Sequence, residues 1–137
     1  MHLFVYGSLR YGCFNNWRLD NSTYMGLATT QEEFYMVGQK SKSYPFCSKT
    51  QILPDTTPTQ IVGEIYDVLP SALAPLDVME GHPHKYTRQP ILCTDGTTAE
   101  MYVLQNPEVI KEIRTSGRFV PVEHGDWVKF SQSEVEG

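Results

Sequence analysis

The chain has 137 residues, 40% of them hydrophobic and 20% charged, which suits one ordinary globular domain over residues 1–137 and is too apolar for a disordered chain. A net charge of −5, with no Lys/Arg cluster, speaks against nucleic acid as a partner. No apolar run is long enough to span a membrane, no basic-then-apolar leader opens the chain, and Cys13, Cys47 and Cys93 stand too far apart for a CxxC zinc site or a disulfide framework, so a cytoplasmic protein is expected.

Residues 3–6 read as a first strand, stopped by Gly7-Ser8, with Arg10 and Gly12 just beyond. The stop is either a plain turn or a loop whose backbone N–H groups hold an anion. Residues 11–20 carry Cys13, Phe14, Trp17 and Leu19 and suit a short helix or an ordered loop. Residues 23–38 are rich in β-branched and aromatic types, the pattern of one or two strands. Residues 39–60 are polar and read as loop, with a short edge strand at 45–48. In IVGEIYDV, residues 61–68, apolar side chains fall on both faces, as in a central strand. A helix follows, opened by Pro70-Ser71 with Ser71 as its N-cap and stopped at Gly81 ahead of Pro83. Strands at 87–93 and 98–105 flank Asp95-Gly96, a strong hairpin signal. Asn106 caps a helix over 107–113 with Pro107 in its first position. His124-Gly125-Asp126-Trp127 turns into a last short strand at 128–130, and residues 131–137 form a frayed tail. The βαβ rhythm is absent, so the pattern predicts an α+β fold with a curled, mixed or mostly antiparallel sheet.

Few residues suit chemistry. His82 and His84 share a turn, but no carboxylate or cysteine spacing supports a metal site, and none is expected. Gly-x-Ser-x-Gly is absent, so Ser8 is not a typical nucleophile, and the cysteines read as small buried hydrophobes. GSLRYG matches neither nucleotide-binding glycine pattern. Glu80 stands out among the carboxylates. It lies at the C-terminal end of a predicted helix, where the partial negative charge disfavours a carboxylate and raises its pKa. Such a carboxyl, poised nearer neutrality, suits general acid/base work. The plainer alternative makes Asp77 and Glu80, three residues apart, one solvated helix face.

FVYGSLRYG at the N-terminus, IVGEIYDV in mid-chain, LDVMEGHPHKYTR after it and GDW near the end resemble, in order and spacing over about residues 2–130, the gamma-glutamylcyclotransferase-like family. YGSL and the short chain look more like its gamma-glutamylamine cyclotransferase branch. Ser43-Tyr44-Pro45 resembles that branch's cavity-rim segment. The resemblance implies a small mixed, mostly antiparallel β-barrel flanked by short helices, with a cavity at one end. It implies a cofactor-independent reaction on a small gamma-glutamyl substrate, by a monomer or homodimer. The free α-amine of the glutamyl group attacks its own γ-carbonyl, 5-oxoproline forms and the amine leaves.

By the same resemblance Glu80 is the catalytic acid/base, Tyr6, Gly7, Ser8 and Leu9 form the substrate-binding loop, and Tyr86 and Arg88 match the Tyr-x-Arg that follows. Several residues keep a structural alternative. Tyr6 and Tyr86 either meet substrate or only pack at the rim. Arg88 reads as structural support, a salt-bridge partner for Asp77 or Glu64. Arg10 either shapes the cavity mouth or, the favoured reading, is solvated; Gly7 reads as required by its backbone conformation, and Trp127 as core. The loop N–H groups face either the reaction's oxyanion or the substrate α-carboxylate. Two other functions remain in view: a non-catalytic module binding a small carboxylated ligand, and a cyclotransferase acting on another gamma-glutamyl compound such as glutathione.

Overall fold

The N-terminal apolar run forms β1 (His2–Val5), whose residues from Leu3 to Val5 are all buried. β2 (Thr23–Gly38), β3 (Phe46–Ser48), β4 (Thr59–Asp67), α1 (Pro70–Glu80), β5 (Tyr86–Leu92), β6 (Thr98–Leu104), α2 (Pro107–Ser116), β7 (Val120–Pro121) and α3 (Trp127–Glu136) follow, with a 3-10 turn at Asn16–Leu19. This is a computed structural model, and it describes residues 1–39 and 44–136. Ser43, in the rim segment named above, lies outside the described residues.

The strands form one sheet in the order β3-β2-β4-β1-β6-β5, with β7 also on β2. β1 and β6 run parallel, and the other pairings are antiparallel. The sheet curls because β2 bends: its register against β4 shifts between Tyr24 and Gly26 and again between Thr29 and Glu33. The second bend brings Thr30 to a bridge with Cys93, just past β5, and the Thr94 N–H donates to Thr29 O at 2.9 Å. The far edge thus returns towards β2, and the result is a half-barrel. Thr30 is buried there without an orphaned hydroxyl: Oγ1 donates to Glu32 O (2.7 Å) and accepts from the Ile61 N–H (2.9 Å).

Alternation along β1 divides the core in two. Leu3 and Val5 join a cluster with Leu76 of α1 and Ile110 and Ile113 of α2. Phe4 joins another with Ile61, Ile65, Met101 and Trp127. Full burial of each such side chain contributes roughly 2 kcal/mol, so strand 1 is held from both faces and its C-terminal end is a fixed point. β4, between β2 and β1, is the central strand expected, and β3 is the expected edge strand.

Two expectations fail locally, and an open one is decided. Residues 128–130 are not a strand but part of α3, which continues through the supposed frayed tail to Glu136. Three alternating residues cannot decide between strand and helix; the cap does. Asp126 Oδ1 accepts from the Lys129 N–H at 3.2 Å, and Asp126 O accepts from the Phe130 N–H at 3.0 Å. Ser71 is not the N-cap of α1. Leu69 is, with extended backbone and no side-chain cap bond, because Pro70 takes the first helical position. Residues 23–38 are one continuous strand, and its bends replace the break that a two-strand reading needed.

Candidate active site

Past Tyr6 the chain turns: the Arg10 N–H donates to Gly7 O at 3.0 Å. Gly7 is required here for a different reason from the one expected. It is not among the residues with positive φ, but a Cβ on it would stand 2.7 Å from Pro45 Cδ. The glycine lets the segment before β3 lie against the turn. Asn15 ties the turn from outside, donating from Nδ2 to Ser8 Oγ (3.0 Å) and from its N–H to Ser8 O (3.0 Å). Asn16 Nδ2 donates to Leu9 O at 2.8 Å. The carbonyls and the Ser8 hydroxyl are therefore occupied, whereas the amide N–H groups of Gly7, Ser8 and Leu9 donate to no described residue.

The turn is anchored by a buried ion cluster. Arg10, expected in solvent, is only 6% exposed, and its partner Glu64 on β4 is 4% exposed. Arg10 Nε donates to Glu64 Oε2 (2.8 Å) and its Nη1 to Asp126 Oδ1 (3.0 Å), while Glu64 Oε1 accepts from the Tyr11 N–H (2.7 Å). Asp126 is also the N-cap of α3. The sequence segments GSLR, IVGEIYDV and GDW thus meet at one guanidinium. A carboxylate inside an otherwise apolar central strand was the available signal, because such a group must find a cation.

The second anchor fixes α1. Arg88 on β5 clasps Asp77 through Nε–Oδ1 (3.0 Å) and Nη2–Oδ2 (3.1 Å), and also pairs with Glu100 of β6. The Tyr102 hydroxyl donates to Asp77 Oδ1 at 2.5 Å. Burial alone would raise the Asp77 pKa, but the bonds from Arg88 and Tyr102 hold it below the usual carboxylate range. Of the two partners expected for Arg88, Asp77 is the one it binds. One turn further along, α1 ends at Glu80. Gly81 adopts the left-handed conformation (φ 67°), and the N–H groups of Gly81 and His82 close the helix on Val78 O and Asp77 O.

Glu80 and the turn face one cavity of about 230 Å³. Gly7, Ser8 and Leu9 form one part of its wall, Met79 and Glu80 another, and Tyr44, Pro45, Lys85 and Tyr86 line it as well. Asp77 and Glu80 are therefore not a common solvated face: the first is bound to Arg88, the second opens into the cavity. Burial raises the Glu80 pKa to about 7, against the opposing influence of Lys85. Tyr6 donates its hydroxyl to Tyr102 O at 2.6 Å. Burial above all, together with neighbours that include Glu80, pushes the phenols of Tyr6 and Tyr86 well up, so both stay protonated. Cys47 beneath them is fully buried and pushed up by burial, a packed thiol and not a nucleophile. Trp127 is core, as expected. Among the described residues no group of three or more His, Cys, Asp or Glu is placed to hold a metal ion, and no helix is long and apolar enough to cross a membrane.

Sequence reasoning missed Asn15, Lys85, Tyr102 and Asp126, which surround or support the cavity, and offered Glu64 to Arg88 where its partner is Arg10. Asn15 and Lys85 carried no signal, since polar residues in turns are ordinary until a wall forms behind them.

The family model for "Gamma-glutamyl cyclotransferase, AIG2-like" matches residues 3–129. Two curated relatives carry the name "Putative gamma-glutamylcyclotransferase". The one from Methanocaldococcus jannaschii is 31% identical over 121 residues, 86% of this chain and 94% of that protein. The one from Vibrio cholerae is 30% identical over 127 residues, 91% of this chain and 93% of that protein. Among solved structures, an AIG2-like protein of mouse superposes with a TM-score of 0.68 at 23% identity, covering 92% of this chain and 86% of its own, which establishes a shared fold. With a model match over nearly the whole chain and two such relatives, this chain belongs to the AIG2-like gamma-glutamyl cyclotransferase family.

Proposed function

We propose that the protein converts a gamma-glutamyl compound to 5-oxoproline and a free amine, with Glu80 as the acid/base. The observation that carries this reading is a carboxyl poised at about 7 that shares one cavity with a turn whose amides donate to no described residue. The substrate α-amine is mainly an ammonium at neutral pH. The Glu80 carboxylate takes its proton, and the freed nitrogen attacks the γ-carbonyl carbon. The carbonyl π electrons move to oxygen, and the tetrahedral oxyanion is stabilised by turn N–H groups of Gly7, Ser8 and Leu9. As the carbonyl re-forms, the bond to the leaving nitrogen breaks and Glu80 gives its proton to that nitrogen. The second proton of the attacking nitrogen, cationic since the attack, passes through the Glu80 carboxylate to the departing amine. The lactam N–H is then neutral, the amine leaves as an ammonium and Glu80 ends as a carboxylate. The reacting atoms belong to one molecule, so the protein mainly folds the substrate into an attack-ready geometry, which can contribute several kcal/mol (~7 at the upper end). Tyr86, kept protonated, can donate to a substrate oxygen. Tyr6, whose proton is committed to Tyr102 O, shapes the wall, and Ser8 contributes its backbone, because its hydroxyl is held by Asn15. Arg88 acts at one remove, by holding α1. The departing amine faces the Tyr44–Pro45 side.

The test is to incubate the folded protein with gamma-glutamyl-ε-lysine, gamma-glutamyl-alanine and glutathione and to assay 5-oxoproline chromatographically. Product is expected from at least one, and Glu80→Gln should lower turnover at least ~100-fold with an unchanged circular dichroism spectrum. Binding of these compounds without turnover by the wild type would make the cavity a binding module instead.

A further inference from the structure

Lys85 has no task in the chemistry above, yet it stands in the cavity wall. Its ammonium lies 5.6 Å from the ring centroid of Phe46 and 5.8 Å from that of Tyr86. These rings stack on one another with centroids 6.2 Å apart, and Phe46 also meets Tyr44 edge-on at 5.6 Å. Among the described residues no carboxylate comes within ion-pair distance of Lys85. Its chain springs from the turn after α1, where the Lys85 N–H donates to Gly81 O at 2.9 Å. The cavity thus holds an ammonium against an aromatic wall, with Glu80 as a charged neighbour and, among the described residues, no carboxylate in direct contact with it. A cation held this way gains from the ring faces but finds no hydrogen-bond acceptor among the described residues.

Position in the cavity indicates where that acceptor comes from. Tyr6, Gly7, Leu9 and Tyr86 are buried, whereas Tyr44 and Lys85 are half-exposed. Ring closure needs the glutamyl head at the buried turn, so the leaving half of the substrate extends past the half-exposed side. Resting on the cyclotransferase reading, we infer that Lys85 is a specificity-determining residue, whose ammonium binds a carboxylate carried by the departing amine. Lys85 then reads the one group by which a gamma-glutamyl amino acid differs at its leaving end from a gamma-glutamyl alkylamine.

Two substrates and two variants test this. Gamma-glutamyl-alanine and gamma-glutamyl-ethylamine differ at the leaving group by one carboxylate. The wild type should favour the first in kcat/KM. Lys85→Met should remove about 10- to 100-fold of kcat/KM on the alanine compound, mainly through KM, the scale of a lost charge-assisted hydrogen bond. Measured on the alkaline plateau, where Glu80 is ionised in both proteins, it should leave the ethylamine compound within about twofold, because nothing there pairs with the ammonium. Lys85→Arg should restore most of the preference. The ratio of the two substrates cancels any change that Lys85→Met makes in Glu80, since both reactions use that group. Equal losses on both substrates, or none on either, would overturn the assignment, the first by placing Lys85 at the glutamyl head. A wild type that forms 5-oxoproline from neither compound nor from the wider panel would overturn the cyclotransferase reading itself, which is a different result from an unchanged ratio.

Discussion

Two ion clusters brace this cavity from different sides, and they differ in depth. Arg10, Glu64 and Asp126 join the turn after β1 to the central strand and to the cap of α3, with side-chain exposures of 7%, 5% and 15%. Arg88, Asp77 and Glu100 join α1 to β5 and β6, at 18%, 22% and 32%. The first positions a backbone segment, the amides that await an acceptor. The second positions one side chain, Glu80, at the end of a helix. A backbone segment needs support along its length, which an interior cluster reaching three elements provides. A helix end needs only one lateral clasp.

The depth difference sets the largest expected effect. Removing one partner of a buried cluster leaves the others charged and unpaired, which costs about 3–5 kcal/mol. Arg10→Met should therefore lower unfolding stability in urea by that amount, and Arg10→Lys by less, because an ammonium keeps the charge and loses only the fork that meets two carboxylates. In whatever fraction stays folded, kcat/KM should fall while the pH at which activity rises stays near 7, the Glu80 value, since the turn has moved and Glu80 has not. A loss below ~1 kcal/mol would show that the cluster is no deeper in effect than an ordinary surface pair.

Arg88→Met is the matched break on the shallower side. Water can reach the orphaned Asp77 and Glu100, so a stability loss of about 2 kcal/mol is expected in the same urea titration. The catalytic signature should be the reverse of that for Arg10. With α1 freed, the surroundings of Glu80 change, and the rising limb of the pH profile should shift. The groups that set this limb are Lys85, which draws the pKa down, and the burial that raises it; Tyr6, Tyr86 and Tyr102 face Glu80 as neutral phenols. An Arg88→Met variant with normal activity and an unmoved limb would reduce the clasp to bulk stability.

The two clusters also mark how far the sequence could be read. Asp77 and Arg88 lie in one contiguous motif on either side of a helix stop, and their pairing was one of two options considered. The Arg10 cluster joins positions far apart in the chain, and nothing local at Arg10 distinguishes a buried guanidinium from a solvated one. Glu64 was the informative residue, a charge in a strand with apolar side chains on both faces, and the cation offered to it was Arg88 where the structure has Arg10. The central place of β4 was legible because apolar side chains fall on both of its faces. The helix at Trp127 was not, because its deciding contact is a cap from Asp126, a residue that read as turn. Gly7 was recognised as necessary, but its cause, the approach of Pro45, belongs to a segment with no pattern to align.

The smallest effect concerns Glu80 alone and separates the placement of that group from its chemistry. Its pKa is about 7 in the folded protein against an ordinary 4.5. A folded-state pKa raised in this way means that folding favours the protonated carboxyl. Below about pH 4.5 the group is protonated in both states and contributes no difference; between 4.5 and 7 the unfolded chain gives up its proton first, so stability falls as pH rises; above 7 the full penalty of an ionised, half-buried carboxylate remains. Glu80→Gln removes the titration and keeps the shape. It should therefore unfold at nearly the same urea concentration as the wild type at pH 4, and be more stable than it by about 1–2 kcal/mol at pH 8, a figure discounted for partial solvent access. The same substitution that abolishes turnover should thus stabilise the fold, and only on the alkaline side. Equal stabilities at both pH values would mean that the carboxyl is solvated like any other, and the cavity would then hold no poised acid/base for the cyclisation to use.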